Sequence, residues 1–393
     1  MKYRILVGTS FALIAVYYTL IFLGFKDRML HGASDFASFY AASTLVRSGH
    51  GKQVYDYAAQ EKVQEEFIKL RGAPLLYVHA PFELLIFLPL AGLPYPAAFE
   101  VWFGCNLIFL FAVPFLARGS LPGIRDRIPA ILLVFGFFFP ATFALVQGQD
   151  SILLLLLLTV FYAALQRGDD RAAGLCLALA AFKPQLLLVV LAAMAWQRQW
   201  KILAWFVNGS AILLLASFAI VGWKGALEFP HFLLWFDRLP PEISGAYPSH
   251  MPNLRGALFA MLGSRLSADT LRFTTAGVTI GLLGIMLDKM RKVARESDDG
   301  LQVALILVLT PFLAYHTNMH DFVLLLLPFL LILDYLQTRH PLKPNHWVLG
   351  GSVVAVFLIP FVFPEPLAMF CGVAALTSSL YYEVASLRIS AFP

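Results

Sequence analysis

The chain has 393 residues, of which 59% are hydrophobic and only 13% charged, and its mean hydropathy is +0.74. Soluble domains carry roughly 25% charged residues, so the composition excludes a water-soluble enzyme and indicates a polytopic membrane protein. The net charge of +5 does not indicate nucleic-acid binding, because the basic residues are spread over short loops and form no stripe.

The first predicted element is an apolar segment over residues 5–25, which follows the basic residues Lys2 and Arg4. It is too long for the core of a signal peptide and no small-residue cleavage site follows it, so we expect it to remain as a membrane anchor. A polar outer loop, residues 26–81, comes next. Within this loop, residues 51–71 show the pattern of an amphipathic helix lying along the membrane surface.

Later segments approach the roughly 17 to 25 apolar residues that cross a bilayer as a helix. They are 96–117, 130–147, 150–166, 202–222, 271–288, 301–316, 321–336, 347–363 and 366–383. The short stretch 82–93 is expected to dip into the membrane without crossing it, and Lys183-Pro184 predicts a broken helix within 172–196. The sequence thus predicts an all-α protein of about twelve transmembrane helices, with one domain over 1–393 and a second outer loop, containing amphipathic helices like the first, over 223–270.

The distribution of basic residues predicts the orientation, because Lys and Arg accumulate on the cytoplasmic side. Lys and Arg concentrate in the loops 118–129, 167–171, 197–201, 289–300 and 337–346, whereas Lys183 is the one lysine or arginine in the alternate short turns. Both termini are therefore expected in the cytoplasm. This orientation gathers several polar residues at the outer face, where they predict a site: Asp35, Gln147, Gln149, Lys183, His320 and Asp321.

Asp35 is the candidate general base, because a carboxylate at the outer surface can remove a proton from an acceptor hydroxyl. The structural alternative is a helix cap. Ser34 and Asp35 are both residue types that cap helix N-termini, and a helical pattern begins at Phe36. The sequence leaves both interpretations open.

Other polar residues also have two interpretations. Lys183 and Arg255 could bind an anionic head group or simply reach the interface. His316 and His320 are four residues apart, so a helix would place both on one face with the spacing of zinc ligands. Because the segment lacks the Glu of the metalloprotease motif, no metal site is predicted there. The aromatic residues of 77–82 could stack on a sugar or form an interfacial belt.

Taken in order, these motifs resemble membrane glycosyltransferases of the GT-C type, specifically glycosyltransferase family 87, whose members use polyprenyl-phosphate-mannose. The matching stretches are Asp35 with Phe39-Tyr40, Gly49 with Val54-Tyr55, Tyr77 to Pro89 with Leu93-Pro94, Gly148-Gln149, Ala173-Gly174 to Lys183-Pro184, and His320-Asp321. The chain departs from the family at His79-Ala80-Pro81, where relatives often carry more prolines, and at Asp150, where many have Asn.

The resemblance implies a GT-C-type fold and inverting transfer of a hexose, mannose in this family, from a polyprenyl-phosphate sugar. The acceptor would be a lipid or a glycan on the extracytoplasmic face of a bacterial inner membrane. Asp35 would be the general base and His320 would lie near the acceptor or the phosphate. The candidate substrate-binding residues are Tyr40, Tyr77, His79, Gln149, Lys183, Arg255 and Asp321.

The expected partners are the lipid-linked sugar donor, the acceptor and membrane lipids, with no nucleic acid and no cofactor. Metal dependence, the polyprenol and the choice between mannose, glucose and arabinose stay open. A transporter or flippase is the alternative of a different class, although it should show paired inverted halves. A lipid-linked glycan ligase also stays open, because residues 223–270 and the start of the next segment are rich in basic residues.

Overall fold

The computed structural model describes residues 2–68, 74–244, 247–293, 299–338 and 342–389, and every regular element in these ranges is helical. The α-helices are α1 Lys2–Leu30, α2 Phe36–Arg47, α3 Tyr57–Glu65, α4 Leu84–Phe87, α5 Tyr95–Ala117, α6 Ile128–Phe137, α7 Phe139–Gln147, α8 Ser151–Gln166, α9 Asp170–Leu179, α10 Pro184–Trp196, α11 Trp200–Phe236, α12 Pro241–Ser244, α13 Leu254–Leu262, α14 Ala268–Val293, α15 Asp299–Leu313, α16 Leu326–Thr338, α17 Pro344–Val362 and α18 Pro366–Ile389. Short 3-10 turns connect several of them.

Among the described residues, seven helical segments are long and apolar enough to cross a bilayer, and an eighth results if the pair of segments bent by 54° at Phe138 is one span. Helices α8, α10 and α15 are apolar but shorter. The predicted all-α polytopic class is confirmed. The figure of about twelve crossings stays a prediction.

The break at Lys183 is confirmed. Helix α9 ends at Leu179, a 3-10 turn covers Ala180–Phe182, and α10 begins with Pro184. Proline suits the first position of a helix because its missing N–H would have had no partner there. Residues 82–93 contain only short helical pieces, of which the longest is the four-residue helix α4, so none crosses a bilayer alone.

The end of the predicted membrane segment 202–222 coincides with a break in α11. Helix α11 continues beyond residue 222 to Phe236, with one non-helical residue, Gly222, at φ 73° and ψ 169°. Glycine lets the chain leave helical geometry for one residue and resume it, because it has no Cβ to clash. The stretch predicted as the second outer loop, 223–270, thus begins as a helix after the break at Gly222 and this helix ends at Phe236.

The amphipathic helix of the first outer loop is shorter than predicted, since α3 covers only Tyr57–Glu65. Its buried side chains are Gln60 and Gln64, and of the apolar side chains predicted to share one face, Ala58 is exposed whereas Val63 and Phe67 pack against the core. Residues 69–71 of the predicted helix lie outside the described residues.

An aromatic core supports the N-terminal end of α2. The rings of Phe39 and Phe87 stack at 4.5 Å between centroids, and Phe36 meets Phe99 edge to face at 5.4 Å. Such pairs add about 0.5–1.5 kcal/mol beyond the burial of their area. This core joins α2, α4 and α5 at one end of the bundle, which we call the site end.

The opposite end carries basic loops. The Gly123 N–H donates to Asp334 Oδ1 over 2.6 Å, and Arg127 Nη2 donates to Gln337 Oε1 over 2.7 Å. Both bonds tie the 118–129 loop to α16. Parts of two further basic loops, 294–298 and 339–341, lie outside the described residues.

Candidate functional site

Asp35 lies directly before α2, and its side chain makes no capping hydrogen bond. Its Oδ2 instead accepts from Gln149 Nε2 over 2.6 Å. Asp56 shows a true cap in the same region, because its Oδ1 accepts from the Ala59 N–H over 2.8 Å. The structure thus does not bear out the capping interpretation of Asp35, whose half-buried carboxylate is held by a side-chain amide.

Gly148 fixes the position of Gln149. It has φ +63°, and a Cβ there would lie 2.7 Å from Phe36 Cβ and 3.0 Å from Phe99 Cε2. Its carbonyl accepts from Trp102 Nε1 over 2.9 Å. Only glycine meets both demands, since other residues rarely adopt this backbone conformation and would collide with the aromatic core.

Lys183 joins three chain segments. Its Nζ lies 2.7 Å from Asp150 Oδ1 and 2.8 Å from Asp321 Oδ1. It also donates to Ser151 Oγ over 2.7 Å and contacts Gln149 Oε1 at 3.2 Å. An ammonium has three protons to donate, so these four neighbours saturate it. With 3% of its side chain exposed, Lys183 is buried and connects these segments through its ammonium group.

The charges of this network are mutually dependent. Burial alone would lower the pKa of Lys183, but the carboxylates of Asp150 and Asp321 raise it above its ordinary value. Burial would raise the pKa of Asp150, yet Lys183, a hydrogen bond with Glu83 and the neighbouring His79 together outweigh burial, and the pKa lies below the ordinary value. Lys183 is therefore a cation and Asp150 an anion at neutral pH.

A second polar group adjoins the first through Asp150. His79 Nδ1 lies 3.1 Å from Glu83 Oε2 and 3.6 Å from Asp150 Oδ2. Tyr77, which is fully buried, donates its hydroxyl to the Ala80 carbonyl over 2.8 Å and to Glu83 Oε2 over 3.2 Å. Burial lowers the pKa of His79 to about 4, so its ring is neutral at pH 7.

Burial raises the pKa of Glu83 well above its ordinary value, and the neighbouring Asp150 raises it further. The glutamate has no exposed surface. Because Glu83 lies beside the carboxylate of Asp150, the protonation state of Glu83 depends on the charges around it.

Two glutamines of α3 hold the segment that carries Tyr77 and His79. Gln64 exchanges two hydrogen bonds with the backbone of Leu75, at 2.8 and 2.9 Å. Gln60 Oε1 accepts from the Tyr77 N–H over 2.7 Å. The buried amides of α3 therefore position the segment that carries Tyr77 and His79.

His320 and Asp321 lie in the 3-10 turn Met319–Leu325. The His320 Nε2 lies 3.5 Å from Asp321 Oδ2, and its Nδ1 is buried with no hydrogen-bond partner among the described residues. His316 belongs to the non-helical stretch after α15, so the prediction that both histidines share one helix face is wrong.

Tyr40 and Arg255 have other surroundings. Tyr40 donates to the Leu93 carbonyl over 2.8 Å. The Arg255 guanidinium carbon lies 3.9 Å from the centroid of the Tyr315 ring, and its Nη2 lies 3.4 Å from Asp237 Oδ1. Within the described ranges, neither side chain is hydrogen-bonded to the network around Lys183.

Sequence reasoning missed Glu83 and Ser151 and noted Asp150 only as a departure from the family pattern. Glu83 carried a usable signal, because it is a carboxylate within the apolar stretch 82–93, and ionisable residues near hydrocarbon are functional candidates. Nothing in the sequence marked Ser151, whose hydroxyl donates to Asp321 Oδ1 over 2.7 Å.

The sequence model of glycosyltransferase family 87 matches residues 77–315, which is more than half of the chain. The chain belongs to glycosyltransferase family 87. No curated protein matches it. The family makes this protein a membrane glycosyltransferase and favours a transferase over a transporter. The matched region includes the Tyr77–Glu83 segment, Gln149 and Lys183, but it begins after Asp35 and ends before His320.

Proposed function

We propose that this glycosyltransferase moves a hexose, mannose in the first instance, from a polyprenyl-phosphate sugar to a hydroxyl of a lipid or glycan acceptor. The observation that carries the proposal is the half-buried carboxylate of Asp35, which Gln149 holds over 2.6 Å at the site end of an apolar helical bundle. Membership of family 87 supplies the reaction class.

Asp35 acts as general base in this proposal. Because Oδ2 accepts the Gln149 amide, Oδ1 is the oxygen that would accept the proton of the acceptor hydroxyl. The acceptor oxygen attacks the anomeric carbon as the bond to the phosphate oxygen breaks on the opposite side. The proton ends on Asp35, the bonding electrons leave with the polyprenyl phosphate, and the anomeric configuration inverts.

The departing phosphate is an anion, so a nearby positive charge can stabilise it in place of a general acid. Lys183 already has four polar neighbours, and we assign it a positioning role. Arg255 is the better cation for the phosphate, because its hydrogen bonds to Asp237 and to the Tyr315 carbonyl are both long, at 3.4 Å. A phosphate would compete well with such bonds.

His320 is the second proposed catalytic residue. Its unpartnered Nδ1 is the atom through which it would meet the acceptor or the phosphate. Tyr77 is fully buried, so its proposed role is to hold Glu83 rather than to stack on the sugar. The proposed substrate site also includes Gln149, which holds Asp35, together with His79 and Asp321.

The proposed location is the extracytoplasmic face of a bacterial inner membrane. Asp35 and its neighbours lie at one end of the bundle, and the basic loop 118–129 lies at the other, where it contacts α16. Basic loops mark the cytoplasmic side, which supports an outward-facing site.

The test is transfer of radiolabelled sugar by the purified protein in lipid nanodiscs. Polyprenyl-phosphate-mannose, its glucose and arabinose counterparts, and a nucleotide-linked mannose are compared as donors, with membrane lipids and oligosaccharides as acceptors. We expect transfer from polyprenyl-phosphate-mannose with inversion, seen in the anomeric signal of the product by NMR. Transfer from the nucleotide sugar alone, or with retention, would contradict the proposal.

A further inference from the structure

Three potential metal ligands converge at the site end. One ligand atom each from His79, Glu83 and Asp150 lies within 4.8 Å of the other two. The His79 Nδ1 is 3.1 Å from Glu83 Oε2 and 3.6 Å from Asp150 Oδ2. A cation bound at about 2.1 Å holds its neighbouring ligands about 3.0–3.4 Å apart, and the two distances from His79 are close to that spacing.

Glu83 supplies independent support. Its side chain has no exposed surface, and its buried Oε1 accepts no hydrogen bond from an N–H or hydroxyl in the described part of the chain, so only a proton shared with Asp150 or a bound cation can satisfy it. Buried polar atoms without a partner are rare and costly, so each calls for an explanation. The orphaned oxygen belongs to the carboxylate whose other oxygen faces His79, which is where a ligand would bind.

Asp150 is also free for such a role. It precedes α8 but makes no capping hydrogen bond. Lys183 lies against Asp150 Oδ1, whereas His79 lies on the side of Oδ2. One oxygen is thus neutralised by the lysine and the other points into the His79 and Glu83 group.

The charge balance favours a cation there. Four carboxylates line the combined network, those of Asp35, Glu83, Asp150 and Asp321, and among the described residues Lys183 is the one lysine or arginine that forms an ion pair with any of them. Lys183 contacts Asp150 and Asp321 but not the Glu83 side. Negative charge buried without a partner is expensive, so Glu83 must hold either a proton or a cation.

We propose that His79, Glu83 and Asp150 bind one divalent transition-metal ion. One imidazole and two carboxylates are a donor set that suits Mn²⁺ and Zn²⁺. The ion would take the place of a proton on Glu83, and His79, with 15% of its side chain exposed, marks the route from solvent. The inference concerns cation binding alone and does not depend on the sugar donor.

The test is a Mn²⁺ titration of the purified protein in detergent, after treatment with EDTA and dialysis, at pH 7. Electron paramagnetic resonance reports the free aqueous ion, and we expect one Mn²⁺ bound per chain and displaced by Zn²⁺. Glu83→Gln and Asp150→Asn each keep the size of the side chain and should weaken binding at least tenfold. Glu100→Gln changes an exposed glutamate and should bind as the wild type does.

Thermal unfolding with and without Mn²⁺ shows whether each variant is folded, and only the wild type and Glu100→Gln should gain stability from the ion. A wild-type protein that binds no more Mn²⁺ than Glu83→Gln would overturn the proposal and leave a proton on Glu83 as the explanation. Loss of Mn²⁺ binding in folded Asp150→Asn supports the same site if Glu83→Gln fails to fold. Failure to find a sugar donor changes none of these outcomes.

Discussion

Gln149 connects the Asp35 carboxylate to the Lys183 ammonium. Its Nε2 donates to Asp35 Oδ2 over 2.6 Å, and its Oε1 accepts from Lys183 Nζ over 3.2 Å. The two ends of an amide are not interchangeable, since only the nitrogen donates and only the oxygen accepts. The half-buried Asp35 is thereby oriented by a buried network, so changes to that network should alter transfer without removing the carboxylate.

Gln149→Leu should reduce the rate of sugar transfer about 10- to 100-fold, because an unpositioned base loses the benefit of orientation. The loss should appear in kcat more than in KM, since the substrate-contacting groups remain. Steady-state kinetics of the purified variant measure this split. Gln166→Leu, at the exposed end of α8, is the control and should leave both constants unchanged. A Gln149→Leu enzyme with wild-type kcat would show that the hydrogen bond does not matter.

Gly148→Ala should destabilise the fold by about 2–4 kcal/mol, combining a left-handed backbone strain with overpacking. The added methyl group would meet Phe36 Cβ at 2.7 Å. Gly104→Ala is the matched control, because a Cβ there has nothing within 4 Å. Thermal unfolding of both variants should show a clear drop for Gly148→Ala alone. Equal melting temperatures would contradict the close packing of this turn.

Lys183→Met should lower the free energy of unfolding by about 3–5 kcal/mol, because it leaves two buried carboxylates without their cation. Adding Asp321→Asn to the same variant should restore part of the loss. Lys201→Met changes an exposed lysine and should have almost no effect. Unfolding by denaturant or heat measures the stability of all three variants under the same conditions. Equal stability of Lys183→Met and Lys201→Met would mean that the buried ion pairs are absent.

The pH dependence of stability should report His316. Burial lowers its pKa to about 4, with Arg255 lowering it further and Asp321 opposing both; His320 and Lys183 also lower it. The unfolded imidazole titrates near 6.5, so it binds more protons than the folded one between about pH 4 and 6.5. The stability that the neutral His316 contributes is therefore fully present above pH 6.5 and is lost as the pH falls toward 4. The loss in the free energy of unfolding is at most about 3 kcal/mol.

Melting temperatures of wild type and His316→Asn between pH 4.5 and 7.5 test this sign. The wild type should lose more stability toward low pH than the variant does. His231→Asn, which changes an exposed imidazole on α11, should follow the wild-type curve. A steeper acid loss in His316→Asn than in the wild type would contradict a neutral His316 ring in the folded protein.

The sequence was enough to predict an all-α polytopic membrane protein and the helix break at Lys183. It also predicted that Asp35, Gln149, Lys183 and Asp321 lie together. Length of apolar runs, proline and the scarcity of charge determine those features locally. It was insufficient where tertiary contacts decide. Gln60 and Gln64 are buried because they bind the backbone of 75–77, which no local pattern of α3 reveals.

The capping question about Asp35 shows the same limit. Asp35 is a residue type that caps helices and it stands directly before Phe36, so by sequence it fits a cap as well as Asp56 does. The difference arises because the αL turn at Gly148 brings Gln149 against Asp35 from 114 residues away. Separations of that size are set by how the helices pack, and one sequence does not contain them explicitly.

The most direct test of the account compares sugar transfer by wild type, Asp35→Asn and Asp56→Asn at matched amounts of folded protein. Asn keeps the shape of Asp35 but cannot accept the proton, and general-base catalysis contributes roughly 10²- to 10⁴-fold. We predict a loss of that size in Asp35→Asn and near-normal transfer in Asp56→Asn, where Asn still caps α3. Full activity of a folded Asp35→Asn enzyme would contradict the assignment of Asp35 as the base.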